Sequence, residues 1–268
     1  MTSTNPKPAR DPKPAHAASE PAQSEAVAAE PCPHCLKPPV LCVCEAVTPL
    51  DNRVALLVLQ HPQEQDRLIG TARLAALNLK NATFKVGLSW PSLSKALGQE
   101  ADPGRWAVLY LGSTQGAELP PDREVVVLDK KGIAEPDQDR ALAGLRGIIV
   151  FDGTWAQAKT LWWRNAWILK ARRLVLNPRA PSLYGKLRKE PRREGLSTIE
   201  AVALTLSRLE RRPEIETTLT ASFSAMLDKY RAALKAGLIE GPSAKGGRRP
   251  RVSANGKPDW RRRPARKA

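Results

Sequence analysis

The stretch Gly147–Asn165, GIIVFDGTWAQAKTLWWRN, decides how the rest of the chain is interpreted. Its first part, Ile148–Phe151, is a short apolar run bounded by glycine, with the length and β-branched content of a buried, parallel strand. The run stops at Asp152, and a Gly-Thr turn leads into a segment with helical spacing. Open α/β sheets bind their ligands at this edge, beyond the carboxyl ends of the strands. Asp152 is therefore either a ligand-facing carboxylate or a turn former that caps the next helix.

Strand and helix patterns alternate along the chain between residues 53 and 236. Continuous apolar strands that alternate with helices predict an α/β fold, in which a mostly parallel sheet carries helices on both faces. The sequence contains no GxGxxG fingerprint, so a Rossmann dinucleotide site has no support. The predicted strands are Arg53–Leu59, Thr83–Leu88, Trp106–Leu111, Glu124–Leu128, Ile148–Phe151 and Arg173–Leu176. The predicted helices are Arg67–Asn78, Pro91–Leu97, 155–167, 197–211 and 214–236.

All four cysteines of the chain lie in one short segment, with the spacing C-x2-C-x6-C-x-C. Two close pairs of thiolates form the ligand set of a tetrahedral structural zinc site. Two disulfides or four free thiols are the alternatives, but the sequence lacks a secretion signal, and a reducing compartment disfavours disulfides. We predict a small zinc knuckle, in which His34 is a bystander. Its ligands are Cys32, Cys35, Cys42 and Cys44.

The chain has a formal net charge of +16 at pH 7. A charge of this size indicates a polyanionic partner, either nucleic acid or an anionic membrane surface. No run approaches the about 18 apolar residues that a membrane-spanning helix needs. The N-terminus also lacks the pattern of a secretory signal. We therefore expect a cytoplasmic protein that binds nucleic acid, with no membrane association and no obligate protein partner.

Composition divides the chain into four parts. Residues 1–29 are rich in Pro, Ala and Ser and contain few large aliphatic residues, which predicts a disordered tail. The zinc knuckle spans residues 30–48, and the main α/β domain spans residues 49–236. Residues 237–268 are dense in Lys and Arg and contain Trp260, so this predicted disordered tail either contacts phosphates and an unpaired base or only promotes solubility.

The string Asp152-Gly153-Thr154-Trp155 resembles the signature of the DTW-domain family. Three other stretches agree with the family pattern in order and rough spacing: the cysteine cluster, Leu59–Glu64 and Leu196–Ala201. The resemblance covers roughly residues 30–235. Members of this family are tRNA-uridine aminocarboxypropyltransferases, related to the S-adenosylmethionine-dependent trefoil-knot (SPOUT-like) enzymes. The resemblance therefore implies a SPOUT-like catalytic domain over 49–236, with a knot that the alternation of strands and helices alone does not predict.

The resemblance also implies a reaction. The enzyme would transfer the 3-amino-3-carboxypropyl group of S-adenosylmethionine to N3 of a uridine in tRNA, with methylthioadenosine as the second product. A neutral imide nitrogen is a weak nucleophile near pH 7, so a positioned base should contribute about 10²–10⁴-fold in rate. Asp152 is the candidate base. Trp155 is a candidate to stack on the target base or the cofactor, although packing in the core is almost as good an explanation.

Two kinds of position are candidates for binding S-adenosylmethionine. Glycine-containing strand exits let the backbone approach a ligand closely. The segment Ser197-Thr198-Ile199-Glu200 lies beside the active site in the family, and its S-x-x-E form also predicts a capping box with a purely structural role. The candidate cofactor-binding residues are Leu111, Gly112, Ser113, Lys131, Gly132, Thr154, Thr198 and Glu200.

Three further residues are candidates for substrate binding. His61 follows the first strand, where a ligand-facing side chain is expected, although a packed histidine is the alternative. Tyr184 and Arg188 lie in a cationic loop and resemble the Tyr/Arg pattern that precedes the S-T-x-E block in the family. Arg188 could bind the carboxylate of the methionine moiety in a bidentate pair, or the loop could be ordinary solvated surface.

Two other classes of protein are compatible with the same sequence features. A trefoil-knot RNA methyltransferase would share the α/β core, the basic surface and the cofactor, but it would transfer the methyl group. A non-catalytic zinc-knuckle RNA-binding protein would use the sheet only as a scaffold. Loss of Asp152 separates the binding protein from both enzymes, and the mass of the product separates the two enzymes.

Overall fold

The computed structural model describes residues 30–240, apart from 66, 110–118, 121, 130, 186 and 188–194. Several predictions therefore lie outside the described residues. These are the tail 1–29, residues 241–268 of the basic tail, the last two residues of the strand Trp106–Leu111, and the candidate ligands Leu111, Gly112, Ser113 and Arg188.

Six strands of the described chain form one sheet. They are β1 (Ala55–Gln60), β2 (Ala82–Val86), β3 (Trp106–Leu109), β4 (Val125–Leu128), β5 (Gly147–Asp152) and β6 (Arg172–Leu176). Their order across the sheet is β2-β1-β5-β3-β6-β4. Every neighbouring pair is parallel except β4 and β6, which are antiparallel. The prediction of a mostly parallel sheet is confirmed, and each strand starts or ends within about two residues of the predicted position.

Six α-helices connect or follow these strands within the described residues. They are α1 (Ala72–Leu77), α2 (Leu93–Leu97), α3 (Gln138–Ala143), α4 (Trp155–Arg164), α5 (Thr198–Glu210) and α6 (Pro213–Lys235). Short 3-10 helices lie at Pro39–Leu41, Cys44–Ala46, Pro62–Glu64, Pro103–Arg105 and Ala166–Lys170.

Three of these elements differ from the sequence-based expectation. Helix α3 was not predicted. Helix α4 ends at Arg164 and is followed by a 3-10 helix, because the buried Asn165 side chain binds the carbonyl oxygen of Leu161 at 2.7 Å. Residues 67–70 form a turn in place of the first predicted turn of α1. Buried side chains from distant segments bind the carbonyl oxygens of this turn, which keeps it out of the helix.

Both faces of the sheet are covered, because alternate strand residues belong to two separate apolar clusters. Side chains at even-numbered positions of β1 and β5 pack against α1, α5 and α6, and those at odd-numbered positions pack against α2 and α4. The first cluster includes Leu56, Val58, Ile148, Val150, Leu74, Val202 and Phe223. The second includes Leu57, Leu59, Ile149, Phe151, Leu93 and Leu161.

The register of the two central strands brings their polar carboxyl ends level with each other. Gln60, the last residue of β1, is paired with Asp152, the last residue of β5. The backbone N–H of His61 then donates to the carbonyl oxygen of Asp152 at 2.9 Å, which extends the pairing by one residue. The edge of the sheet at which Asp152 lies is therefore fixed by backbone hydrogen bonds from β1.

None of the helices between residues 30 and 240 that the structure describes combines the length and the apolar character needed to cross a bilayer. The trefoil knot and the SPOUT relationship that the resemblance implies stay predictions.

We predict that Gly147→Ala destabilises the protein, because a Cβ at Gly147 would lie 2.5 Å from ring carbons of Trp106. Overpacking of this kind costs about 1–3 kcal/mol of unfolding free energy. Gly144→Ala is the matched control, since its added Cβ would lie 3.9 Å from the nearest atom, the carbonyl oxygen of Arg140. Urea unfolding of both variants measures the difference. Equal stability of the two variants would show that the Trp106 ring is free to move away.

Candidate active site

The carboxylate of Asp152 is held by one hydrogen bond to each of its oxygens. Thr198 Oγ1, at the first residue of α5, donates to Oδ1 at 2.7 Å. Gln60 Nε2, at the last residue of β1, donates to Oδ2 at 2.8 Å. We call these three residues the Asp152 cluster. Because its members come from β1, β5 and α5, the orientation of the half-buried carboxylate is set by three elements.

Thr154, and not Asp152, caps the helix that follows β5. Thr154 Oγ1 accepts from the backbone N–H of Gln157 at 3.4 Å, and Gln157 Oε1 accepts from the backbone N–H of Thr154 at 2.6 Å, which completes a capping box. The alternative explanation of Asp152 as the helix cap is therefore wrong. Trp155 begins the helix immediately after this cap and is half-buried.

His61 lies against the same turn. Its Nδ1 accepts from the backbone N–H of Gln63 at 3.2 Å, which caps the 3-10 helix Pro62–Glu64. A Cβ on Gly153 would lie 3.4 Å from the Cβ of His61, so the two segments are in close contact. The structure therefore brings together five of the predicted residues at one edge of the sheet: His61, Asp152, Thr154, Trp155 and Thr198.

Two buried oxygen atoms at this edge accept no hydrogen bond from the described residues: Oε1 of Gln60 and Oε1 of Glu64. Gln60 is 5% exposed and Glu64 is 7% exposed. A buried acceptor without a donor costs about 1–3 kcal/mol, so each of these atoms is expected to accept a hydrogen bond from a bound water or from a donor group of a ligand. The sequence-based list of site residues missed both. Gln60 could have been found from the sequence, because it is the polar residue that ends the apolar strand β1, as Asp152 is for β5.

Glu200 forms the capping box that the sequence predicted for α5. Its carboxylate accepts from the backbone N–H of Ser197 at 2.8 Å, and Ser197 Oγ accepts from the backbone N–H of Glu200 at 3.3 Å. The same carboxylate accepts from Ser182 Oγ at 2.6 Å and from the backbone N–H of Leu183 at 2.7 Å. Glu200 therefore ties the 182–185 turn to α5, with its carboxylate oxygens already bound by protein donors.

Tyr184 lies in the core and does not face the site edge. It is 1% exposed, its ring packs edge-on against Phe223 at a centroid distance of 4.9 Å, and its hydroxyl donates to the carbonyl oxygen of Ile69 at 2.6 Å. Through this hydrogen bond, the Tyr184 side chain stabilises the turn at residues 67–70. Because the ring is buried and the hydroxyl is already bound to Ile69, Tyr184 is not available to a substrate, contrary to the expectation.

Lys131 and Gly132 lie at the opposite edge of the sheet from Asp152. They follow β4, whose last residue, Leu128, pairs with Arg173 near the start of β6. Because β4 is antiparallel, its carboxyl end lies at the amino-terminal edge of the parallel strands. The two residues form a local turn there, in which Asp129 Oδ1 accepts from the backbone N–H of Lys131 at 2.8 Å. Their proposed place beside Asp152 is therefore wrong.

The four cysteines converge as the spacing predicted. Their sulfur atoms all lie within 4.8 Å of one another, and all four are free thiols. The Cys32–Cys44 and Cys35–Cys42 sulfur pairs are 3.9 and 3.7 Å apart. Zn–S bonds of about 2.3 Å in a tetrahedron place sulfur atoms roughly 3.8 Å apart, whereas a disulfide requires about 2.05 Å. This segment can therefore hold a metal ion, and its geometry suits tetrahedral thiolate coordination.

The pKa shifts of the four thiols differ in direction: backbone hydrogen bonds favour the thiolate of Cys32, whereas burial raises the pKa of Cys35 and of Cys44 in the absence of a metal ion. The backbone of Cys35, followed by that of His34, lowers the pKa of Cys32 to about 6. The turn itself is closed by hydrogen bonds from the Leu36 N–H to the Cys32 carbonyl and from the Cys32 N–H to the Lys37 carbonyl.

Lys37 connects the cysteine segment to the turn beside the site. Its side chain is 6% exposed, and Nζ donates to the carbonyl oxygen of Leu68 at 2.7 Å. Burial lowers the pKa of Lys37 to about 8, against the opposing effect of the charges on Cys35 and Asp152. On the other side, Lys229 of α6 donates from Nζ to the carbonyl oxygen of Cys42. The cysteine segment is thus bonded both to a long helix and to the turn at residues 67–70.

The sequence matches known proteins over most of its length. The sequence profile of the DTW domain matches residues 29–231. Three relatives carry the name tRNA-uridine aminocarboxypropyltransferase 2. The Drosophila melanogaster protein is 32% identical over 192 residues, which cover 70% of this chain and 70% of that relative. The Macaca fascicularis protein is 28% identical over 197 residues, and the Mus musculus protein is 29% identical over 199 residues.

The matched segments cover a larger share of this chain than of the macaque and mouse relatives. The matches to the macaque and mouse proteins cover 73% of this chain, but the chain spans only 61% of the length of each of those two relatives. No solved structure matches the chain. The profile match over residues 29–231 covers both the cysteine segment and the Asp152 cluster. The chain therefore belongs to the DTW-domain family.

Proposed function

We propose that this protein transfers the 3-amino-3-carboxypropyl group of S-adenosylmethionine to N3 of a uridine in tRNA and releases methylthioadenosine. The names of the three relatives support this class of reaction and substrate. The structural observation that carries the proposal is the Asp152 cluster, a carboxylate oriented by Thr198 and Gln60 at the edge where the parallel strands end. S-adenosylmethionine supplies the electrophilic carbon, because its sulfonium sulfur leaves as a neutral thioether.

Asp152 acts as the base in this proposal. Its carboxylate accepts the proton from N3 of uridine, and the resulting nitrogen lone pair forms the new N–C bond as the C–S bond breaks. The positive charge of the sulfonium is lost in the same step, so charges and atoms balance. Gln60 and Thr198 each donate to one carboxylate oxygen, which leaves the outer lone pairs of both oxygens for the incoming proton.

The two unpaired acceptors give the methionine end of the donor a place to bind. The ammonium group of that moiety carries three N–H donors, and Oε1 of Gln60 and Oε1 of Glu64 are buried acceptors that await donors. In this proposal Arg188 binds the carboxylate of the same moiety. Leu111, Gly112 and Ser113, which the sequence offered for either the adenine or the methionine portion, bind the adenine.

The target uracil is best placed beside the start of α4. Trp155 is the first residue of that helix and lies three positions after Asp152. Stacking on an aromatic side chain is worth about 1–3 kcal/mol per base. Trp155 can therefore present N3 to the carboxylate, with His61 in contact with the same turn at Gly153.

We propose that the cysteine segment holds a structural zinc ion. Four thiolates fill a tetrahedral shell and leave no open position, so the ion takes no part in the transfer. Its contribution is to fix Lys37, whose Nζ holds the turn at residues 67–70. The net charge of +16 supports tRNA as the partner, with the basic tail adding phosphate contacts, and a cytoplasmic location is part of the same proposal.

The metal proposal predicts that the purified protein carries about one zinc ion per chain without added metal. Cys42→Ser should lower the zinc content and the thermal midpoint together, because the ion cross-links residues of the knuckle. His34→Ala is the control, since His34 is exposed and should not be a ligand. Elemental analysis and thermal unfolding give the two readouts. Full stability and activity of metal-free protein would refute the structural zinc.

The reaction itself predicts a specific product. Incubation of the full chain with unmodified tRNA and S-adenosylmethionine should yield a uridine enlarged by an aminocarboxypropyl group, together with methylthioadenosine. Asp152→Asn should reduce the chemical step by at least about 10²-fold, because an amide cannot accept the proton. Single-turnover assays followed by mass analysis of nucleosides measure this. Asparagine can retain both contacts, since its amide can donate to Thr198 and its oxygen can accept from Gln60.

The controls separate the possible explanations of a negative result. Asp139→Asn makes the same chemical change at an exposed carboxylate of α3 and should leave turnover unchanged. A methylated nucleoside with S-adenosylhomocysteine would favour the methyltransferase, and tRNA binding without any product would favour the binding protein. Near-normal turnover of Asp152→Asn, with the expected product, would assign proton transfer to another residue.

A further inference from the structure

Helix α4 presents an exposed tryptophan on the surface that starts at the candidate active site. Trp163 is 79% exposed, although tryptophan is normally among the well-buried side chains. Ala156, Lys159 and Trp163 lie on one side of the helix, because residues three, four and seven positions apart share a face. The opposite side, with Ala158 and Leu161, is buried against the sheet.

This surface is basic. Residues 155–170 include three cations and no Asp or Glu, and Leu88–Trp90, which hydrogen-bond to the end of α4, carry no charged side chain. Glu100 and Asp102 lie further along, before the 3-10 helix Pro103–Arg105 that packs against Ala166–Lys170. We call the exposed residues of the segment 155–170 the α4 face. No ion pair between described residues involves its cations. The α4 face includes Ala156, Lys159, Trp163, Arg164 and Lys170.

The helix end that carries Trp163 is held firmly. The side chain of Asn165 donates to the carbonyl oxygens of Leu161 at 2.7 Å and Leu88 at 3.1 Å and accepts from the backbone N–H of Trp90 at 2.8 Å. Trp167 Nε1 also donates to the carbonyl oxygen of Trp90 at 2.9 Å. A tryptophan on a fixed helix loses little conformational entropy when it binds a partner.

Trp163 lies within reach of the nucleotides that flank a base at Asp152. It is eight residues beyond Trp155, so the two are roughly 12 Å apart along the helix axis at a rise of 1.5 Å per residue. Stacked nucleotides of one strand rise roughly 3.4 Å each. A strand whose uridine lies at Trp155 can therefore reach Trp163 within roughly four nucleotides.

We propose that the α4 face is an RNA-binding surface, on which Trp163 stacks against an unpaired base of the substrate while Lys159 and Arg164 contact neighbouring phosphates. This inference rests on the proposed function for the identity of the RNA. An exposed tryptophan flanked by Lys159 and Arg164, on a segment that has no Asp or Glu between residues 155 and 170, matches the combination that binds single-stranded nucleic acid. A protein-binding surface would instead be depleted in lysine around its aromatic residues.

The test measures the affinity of the full chain for unmodified tRNA over a series of salt concentrations. Trp163→Ala should weaken binding about 5- to 30-fold, and Trp163→Phe should restore most of the affinity because it keeps an aromatic face. Trp163→Ala should leave the slope of log affinity against log salt unchanged, since stacking releases no counterions. Lys159→Ala should reduce the magnitude of that slope by about 1, the contribution of one phosphate contact.

Three controls isolate the contact. Ile133→Ala removes another exposed apolar side chain, 59% exposed, at the opposite edge of the sheet, and should bind tRNA normally. A blunt RNA duplex, which has no unpaired base, should bind wild type and Trp163→Ala equally. In the transfer assay, Trp163→Ala should raise the KM for tRNA, whereas Ile133→Ala should leave that KM unchanged.

The outcomes distinguish this inference from the proposed function. If Trp163→Ala binds tRNA as tightly as wild type, the inference is overturned, even if aminocarboxypropyl transfer is observed. A change in oligomeric state without a change in tRNA affinity would indicate that Trp163 contacts protein. The wild type could also bind tRNA and yet transfer nothing. If Trp163→Ala then lowers the affinity for tRNA, the result would support the α4 face and reject the proposed reaction.

Discussion

The pairing of β1 with β5 is the constraint on which the candidate site depends. Gln60 and Asp152 end these strands at the same level, and the His61 N–H continues the pairing past the sheet edge. A shift of one residue would turn the Gln60 side chain to the other face of the sheet and break its bond to the Asp152 carboxylate. Alternate residues of both strands are buried on opposite faces, so the apolar packing itself opposes such a shift. The packing of the core therefore also fixes the position of Gln60 relative to Asp152.

The turn at residues 67–70 couples distant parts of the chain to this edge. Its carbonyl oxygens at Leu68 and Ile69 accept from Lys37, beside the cysteines, and from Tyr184, which precedes α5. Loss of either donor leaves a carbonyl oxygen unpaired, at a cost of about 1–3 kcal/mol where it is buried. A metal ion at the cysteines can therefore affect the site without touching substrate, since it holds the segment from which Lys37 projects.

The sequence predicted the strands of the sheet and the cysteine cluster well, because both depend on local pattern. Apolar runs indicate the strands, and the spacing of the cysteines indicates the cluster. It placed Lys131 and Gly132 at the wrong edge because strand direction depends on which neighbour β4 pairs with, a tertiary choice that an apolar run does not encode. The burial of Tyr184 was missed for a similar reason, since its partners Ile69 and Phe223 are distant in sequence.

In the proposed function, helix α4 would join the chemistry to the binding of the RNA in a single element. Its capping box follows Asp152 by two residues, and its far end is fixed by the side chain of Asn165. A base stacked on Trp163 and a base beside Asp152 would therefore keep a constant separation. Because a displacement of about 1 Å at the reacting atoms can cost about 10²-fold in rate, a surface far from the carboxylate can still determine which uridine reacts. Selection of the uridine would then depend on where the RNA offers an unpaired base for Trp163 as well as on the nucleotide at the site.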